Sequence, residues 1–206
     1  TKTDSLIKEG YLSKFRIKVL LCKHAPQHFD TYHDEMEYLV SHKGRNNLIK
    51  NLVQDIKGNT LVLFNYVEKH GEPLYELINS IIDPERKLFF VHGSTDVEDR
   101  EEVRKITETE SNAIIVASYG TFSTGINIKR LHNIVFASPS KSRIRNLQSI
   151  GRVLRKGEGK DIATLYDIAD DIGGQNYTLR HLNERVTIYN EENFKYEVIR
   201  VNLRAN

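Results

Sequence analysis

The chain has 206 residues, 39% apolar and 28% charged, which suits one sizeable globular core. Its formal net charge is only +2, and no apolar run approaches the ~20 residues that a membrane-spanning helix needs. Cys22 is the single cysteine, which excludes an intramolecular disulfide and suits a reducing, cytoplasmic setting.

The opening "TKTDSLIKEG" lacks the continuous apolar stretch of a signal peptide. It carries no initiator Met, so a start inside a longer protein is expected. "RIKVLLC" (Arg16–Cys22) reads as a strand. Cys22, His24, His28 and His33 lack the paired close spacing of a zinc module, so no metal site is expected there. "NNLIKNLVQDI" (Asn46–Ile56) reads as a helix with Leu48, Ile49, Leu52, Val53 and Ile56 on one face, ended by Lys57-Gly58-Asn59. "TLVLFN" (Thr60–Asn65) is a short apolar run of the kind expected in a strand covered on both sides. "GEPLYELINSII" follows as a helix, with Pro73 tolerable in its first turn.

"KLFFVHG" (Lys87–Gly93) predicts the next strand. Thr95 to Glu98 has the spacing of a capping box opening the helix "VEDREEVRKIT". "AIIVAS" (Ala113–Ser118) and "NIVFAS" (Asn133–Ser138) predict two more buried strands. "DIATLYDIA" (Asp161–Ala169) predicts another strand, and "DDIGGQ" (Asp170–Gln175) reads as a linker. "TLRHLNERVTIY" puts Leu179, Leu182, Val186 and Tyr189 on one helical stripe, and "KYEVIRVNL" alternates like a strand. Strands and helices alternating at this spacing predict an α/β fold, a parallel sheet with helices on both faces. The expected organisation is a linker at 1–15, a domain at 16–170 and a short helix/strand extension at 171–206.

Charge is uneven. Between Lys129 and Lys160 stand Lys129, Arg130, Lys141, Arg143, Arg145, Arg152, Arg155, Lys156 and Lys160, against one acid, Glu158. Such a zone fits an anionic partner, and it equally fits a solvated face. Within it lies "QSIGRVLRKGEGK" (Gln148–Lys160). On a helix, Gln148, Arg152 and Arg155 fall within about 60° of one another, while Leu147, Ile150 and Leu154 form a separate apolar face. Adjacent guanidiniums repel unless an anion lies between them, and a polyphosphate suits that position. A pair of surface arginines that happen to align accounts for the same spacing. Upstream, "ASYGTFSTGINI" (Ala117–Ile128) leaves a strand end carrying small hydroxyl residues and two glycines. Open α/β sheets bind ligands at such loops, whose exposed amides suit phosphate.

Taken together these segments resemble the superfamily 2 helicases. "QSIGRVLR" looks like their motif VI, "IIVASYGTFSTGINI" like motif V and "LVLFNYVEKHGEPLYELI" like motif IV. "FFVHGSTDVEDREEVRK" resembles the following His-Gly segment, with Arg100 at a recurrent arginine, and "LIKEGYL" the join between motor domains. The match covers about residues 5 to 170 in order. It implies a RecA-like fold and the second of two motor domains that clasp ATP between them. By this likeness Arg155 is the arginine finger, Arg152 a second γ-phosphate contact, and Gln148 a residue that orients water or links the domains. Gly125 and Asn127 match the part of motif V near the nucleotide. Ser118, Ser123 and Thr124 match the part near the nucleic-acid backbone, with Asn65, His92 and Gly93 as further phosphate contacts. Tyr119 and Phe122 are aromatics that could stack on bases, and burial against the sheet suits Phe122 as well.

The resemblance also implies the partners: DNA, single-stranded or branched (fork, junction or R-loop), and the N-terminal RecA-like domain of the same protein. No membrane is implied. ATP and Mg2+ would be bound mainly by that first domain, because neither a Gly-x-x-x-x-Gly-Lys-Ser/Thr loop nor an Asp-Glu box is present here. The chain alone is therefore expected not to hydrolyse ATP. There are departures: Asn127 stands where many relatives have an acid, the motif V loop is one residue longer than in the commonest RNA helicases, and Val97 replaces a frequent glutamine. Other readings are a non-catalytic nucleic-acid-binding domain of the same fold, or half of an RNA helicase or restriction-type translocase.

Overall fold

The computed structural model describes residues 14–123, 130–139 and 162–203. They form one seven-stranded sheet in which every pairing is parallel, in the order β3-β4-β2-β5-β6-β1-β7. The strands are β1 (Lys14–Lys23), β2 (Thr60–Phe64), β3 (Leu88–Val91), β4 (Ile114–Ser118), β5 (Asn133–Phe136), β6 (Ile162–Asp171) and β7 (Lys195–Asn202). The helices are α1 (Tyr32–Ser41), α2 (Lys43–Asp55), α3 (Glu72–Ile81), α4 (Val97–Thr109), the short α5 (Tyr119–Ser123) and α6 (Tyr177–Glu191). A π-helical turn, Val67–Gly71, leads into α3.

Alternation along each central strand builds two cores. Leu20, Cys22, Val62, Phe64, Ile114, Val116, Val135 and Ile168 face α2 and α3, where Ile49, Val53, Leu74 and Ile78 meet them. Val19, Leu21, Leu61, Leu63, Ile115, Ile134, Phe136 and Leu165 face the other way, onto Leu182 and Tyr189 of α6. Leu61, Val62, Leu63 and Phe64 are all fully buried. Each such side chain contributes about 1.5–3 kcal/mol of transfer free energy, so the continuous apolar run of β2 is what a central parallel strand requires.

Several sequence expectations change in detail. The segment 24–41 carries an element not expected from its pattern: α1, capped by Thr31 Oγ1, which accepts from the Asp34 N–H. The expected capping box at Thr95 does not form. Asp96 is the N-cap, without a side-chain cap bond, and Thr95 Oγ1 instead accepts from the His92 N–H at 3.1 Å. "DDIGGQ" closes β6 with Asp170 and Asp171 and then turns tightly. Gly173 and Gly174 both adopt φ 92°, the Gly174 N–H donates to Asp171 Oδ1, and the Ile172 N–H donates to Asn176 Oδ1. The C-terminal helix and strand complete this sheet. Arg185 of α6 pairs with Asp167 of β6 through two bonds of 2.8 and 2.9 Å, Tyr189 Oη donates to the same carboxylate, and β7 pairs along β1. The motif VI helix expected over Ser142–Arg155 lies outside the described residues.

At the amino-terminal edge one asparagine ties four segments. Asn59 Nδ2 donates to the carbonyls of Thr107, Glu110 and Arg130, while its Oδ1 accepts from the Ala113 N–H. Gly58 adopts φ 102° beside it, and a Cβ there would meet His132 at 2.7 Å.

Candidate functional site at the carboxyl ends of the central strands

A parallel sheet collects all its strand carboxyl ends on one edge. From β2 the chain moves outward to β3, returns to β4, then crosses β2 to reach β5. The carboxyl ends of β4, β2 and β5 therefore mark the reversal of strand order, where open α/β sheets bind ligands. Ser118 is level with Phe64, and Val91 with Ala117, so His92, Ser118, Asn65 and Ser138 end four adjacent strands. At ~4.8 Å between neighbours these ends span roughly 15 Å.

The expected contacts that can be described are placed as follows. Ser118 Oγ lies 2.6 Å from Thr121 Oγ1 and accepts from the Thr121 N–H, so it opens α5. His92 Nδ1 accepts from the Ser94 N–H, and its ring packs on Phe90. Gly93 is open, with nothing within 4 Å of an added Cβ. Asn65 turns its Nδ2 onto the Pro139 carbonyl at 2.8 Å. Ser123 ends α5. Thr124, Gly125, Asn127, Gln148, Arg152 and Arg155 lie outside the described residues.

Tyr119 differs from expectation. It is buried rather than presented for stacking, with its ring on Phe136 at 5.9 Å and its hydroxyl donating to the Ser138 carbonyl at 3.0 Å. Burial wins because α5 folds the residue back against the sheet.

The residues that sequence reasoning missed form a polar cluster behind this edge. Once β5 leaves its ladder, three successive carbonyls each receive a side-chain donor from a different element. Arg45 Nη1 donates to Ala137 O at 2.6 Å, Tyr119 Oη to Ser138 O at 3.0 Å, and Asn65 Nδ2 to Pro139 O at 2.8 Å. The Ser138 hydroxyl is held as well. Asn46 Nδ2 donates to Val40 O, which turns Asn46 Oδ1 toward His70 Nε2 at 3.0 Å. Nε2 therefore carries the proton and Nδ1 is the acceptor, so the Ser138 hydroxyl donates to Nδ1 at 2.6 Å. The same oxygen accepts from the Asn65 N–H at 3.1 Å.

Burial, reinforced by the Arg45 charge, lowers the His70 pKa to about 3, which keeps this ring neutral. Arg45 itself is fully buried and bonds both oxygens of Asp170, which also accepts from His24 Nε2 at 2.8 Å. Burial would raise the Asp170 pKa, but the Arg45 guanidinium and His24 outweigh it and hold the carboxyl below the usual range. Cys22 lies in the same layer, its thiol on the Leu20 carbonyl.

Among the described residues no group of three or more His, Cys, Asp or Glu side chains is placed to hold a metal ion. No described helix is long and apolar enough to cross a membrane.

The family model for the helicase conserved C-terminal domain matches residues 44–157, more than half of the chain. The chain belongs to this helicase C-terminal domain family. Its sequence is 34% identical to the ATP-dependent DNA helicase uvsW of Enterobacteria phage T4, over 98% of this chain and 43% of that protein. The crystal structure of T4 UvsW superposes with a TM-score of 0.78, covering 93% of this chain and 42% of that one. The helicase C-terminal domain here thus spans less than half the length of that relative. Two further structures share the fold alone: the ATP-dependent type ISP restriction-modification enzyme LlaBIII bound to DNA, TM-score 0.65, 15% identical, covering 97% of this chain and 16% of that one; and the C-terminal domain of the DEAD-box protein Dbp5, TM-score 0.58, 16% identical, covering 90% of each. The RecA-like parallel sheet expected from the motifs is the one observed.

Proposed function

We propose that this chain is the second motor domain of an ATP-dependent DNA helicase that unwinds or remodels branched DNA. The observation that carries the reading is the likeness to the phage T4 ATP-dependent DNA helicase uvsW across 98% of the chain. The alignment of His92, Ser118 and Asn65 on adjacent strand ends supports it.

In this reading a partner RecA-like domain of the same protein holds ATP and Mg2+, and this domain closes on the exposed γ-phosphate. Arg155 and Arg152 neutralise the charge that spreads over the phosphoryl oxygens as the terminal phosphate leaves, and Gln148 orients the attacking water. Gly125 and Asn127 line the nucleotide side of the cleft. An arginine finger contributes about 10³–10⁵ in rate, which is roughly 4–7 kcal/mol of barrier. Ser118, Ser123, Thr124, Asn65, His92 and Gly93 face the nucleic-acid backbone. Their contacts are sequence-independent, so binding weakens as salt rises. In this reading the setting is cytoplasmic.

The experiment compares ATP turnover of the purified chain with that of a protein carrying both motor domains, each with and without single-stranded and forked DNA. The chain alone shows no DNA-stimulated turnover. The two-domain protein does, and Arg155→Ala lowers it by about 10³-fold or more. Turnover by the chain alone that Arg155→Ala abolishes would overturn this assignment.

A further inference from the structure

β1 and β6 end on the same sheet edge as Ser118, His92 and Asn65. Phe136, the last paired residue of β5, lies opposite Asp167, while β6 runs on to Asp171 against Lys23. The segments that follow β1 and β6 therefore stand beyond the level at which β5 stops pairing. With the start of α6 they line a cavity of about 700 Å³, inside the roughly 300–1,000 Å³ range of small-ligand sites.

Phe29 gives this cavity an apolar wall, half-buried and braced by the Tyr38 ring at 5.2 Å. Tyr177 gives a second ring, pinned because its hydroxyl donates to the Asp30 carbonyl at 2.9 Å. Arg180 lies over that ring, its guanidinium carbon 4.8 Å from the ring centre. Arg180 is exposed, and among the described residues no carboxylate or hydrogen bond claims its guanidinium. Glu35 also lines the cavity, but its oxygens are spent on the Tyr177 and Thr178 N–H groups and on Asn176 Nδ2. The first two amides of α6 are thereby taken, which leaves Arg180 as the contact open to an anion. Rings beside one cation suit a planar base carrying a single phosphate charge. An acidic peptide would need several cations. A free nucleoside triphosphate would set its surplus charge beside the Glu35 carboxylate. A DNA strand presents one charge per nucleotide, which one guanidinium matches.

We propose that this cavity is a subsite for one nucleotide of single-stranded DNA, with the base on Phe29 and its phosphate on Arg180. The proposal rests on the reading of the chain as half of a DNA motor. It adds a contact three strand spacings from Asn65, roughly 15 Å along the edge from the end of β2 to the end of β1. Stacking on Tyr177 holds the guanidinium in place before the strand arrives, which lowers the ordering cost of binding.

The test uses a protein carrying both motor domains, without ATP, and measures Kd for a fluorescent thymidine oligonucleotide by anisotropy at several salt concentrations. Arg180→Gln is expected to raise Kd about fivefold. It should also flatten the slope of log Kd against log salt by ~0.7, the release from one single-strand phosphate. Arg180→Lys keeps the charge and is expected to keep the parent slope. Phe29→Leu keeps the apolar bulk but removes the flat face, and is expected to raise Kd about fivefold at unchanged slope. Lys57→Gln removes an exposed cation just before β2, at the opposite edge, and is expected to match the parent. A folded Arg180→Gln or Phe29→Leu protein within about twofold of the parent Kd overturns the proposal. So does an equal change of slope in Lys57→Gln, which would report only the overall field. If Phe29→Leu does not fold, Arg180→Gln alone decides. A raised KM for ATP in Arg180→Gln with unchanged DNA binding would assign the cavity to the free nucleotide, and likewise overturns the proposal. A parent protein that binds no DNA means the motor reading itself has failed, whereas DNA binding indifferent to Arg180 removes this subsite alone.

Discussion

Arg45 and Asp170 stand 125 residues apart and form an ion pair with both side chains fully buried, Nε lying 2.9 and 3.1 Å from the two carboxylate oxygens. The pair joins α2 to the end of β6, and Arg45 Nη1 extends the link to the backbone leaving β5. Removing one partner leaves the other charge buried without compensation, which costs about 3–5 kcal/mol. Arg45→Met should therefore destabilise the chain by that amount in urea unfolding. Adding Asp170→Asn to it should restore part of the loss, giving a coupling energy above about 1 kcal/mol in the double-mutant cycle. Additive effects would mean the two charges do not sense each other.

His70 makes stability depend on pH. Its folded pKa is about 3, below the usual 6.5, because burial and the Arg45 charge oppose a second proton. Between those values the unfolded chain binds a proton that the folded chain refuses. The contribution of this site is fully present above pH 6.5 and is lost as pH falls toward 3, at up to about 1.4 kcal/mol per pH unit. Urea midpoints from pH 7 to 4.5 should fall more steeply in the parent than in His70→Asn. Parallel slopes would show that the ring is not held neutral.

Gly71 has no room for a side chain. A Cβ there would sit 2.5 Å from the Phe64 ring, which is fully buried and stacked on Phe90 at 5.6 Å. Gly71→Ala should cost about 1–3 kcal/mol by overpacking. Gly93→Ala, with nothing within 4 Å of the new carbon, should leave the melting temperature unchanged. Equal effects at the two positions would contradict this packing.

Cys22 should be silent until the chain unfolds. Burial, then the nearby Asp170 carboxylate, pushes its thiol far above the ordinary range, so almost no thiolate forms near neutral pH. Labelling with a thiol-disulfide reagent at pH 8 should proceed only at the rate of global opening and become immediate in denaturant. Fast labelling of the native chain would place the thiol at the surface.

The central sheet was legible in the sequence because its strands are continuous apolar runs. Thr60–Phe64 and Ile114–Ser118 fall where their composition put them, since burial on both faces favours unbroken apolar stretches such as Leu61–Phe64 and Ile114–Ala117. α1 was harder. Its buried apolar face holds only Met36, Leu39 and Val40, and the fully buried Glu35 breaks the pattern. That glutamate accepts from the Tyr177 and Thr178 N–H groups at the start of α6, a partnership 142 and 143 residues away. Thr31 followed by Asp34 was the available signal for its start. The candidate site divides the same way. Ser118, His92 and Asn65 could be placed at strand ends because they close recognisable apolar runs. The Asn46–His70–Ser138 chain could not, because its members lie 24 and 68 residues apart and only the strand order brings them together.

The first strand among the described residues is an interior one. β1 lies between β6 and β7, matched from Lys14 against Ile162 and from Arg16 against Lys195. During synthesis on the ribosome, residues 14–23 emerge long before either of their neighbours, β6 and β7. Such distant pairings are slow to close, and an apolar strand with both edges bare invites association with other nascent chains. A chain ending before Lys195 would leave β1 with one edge permanently open.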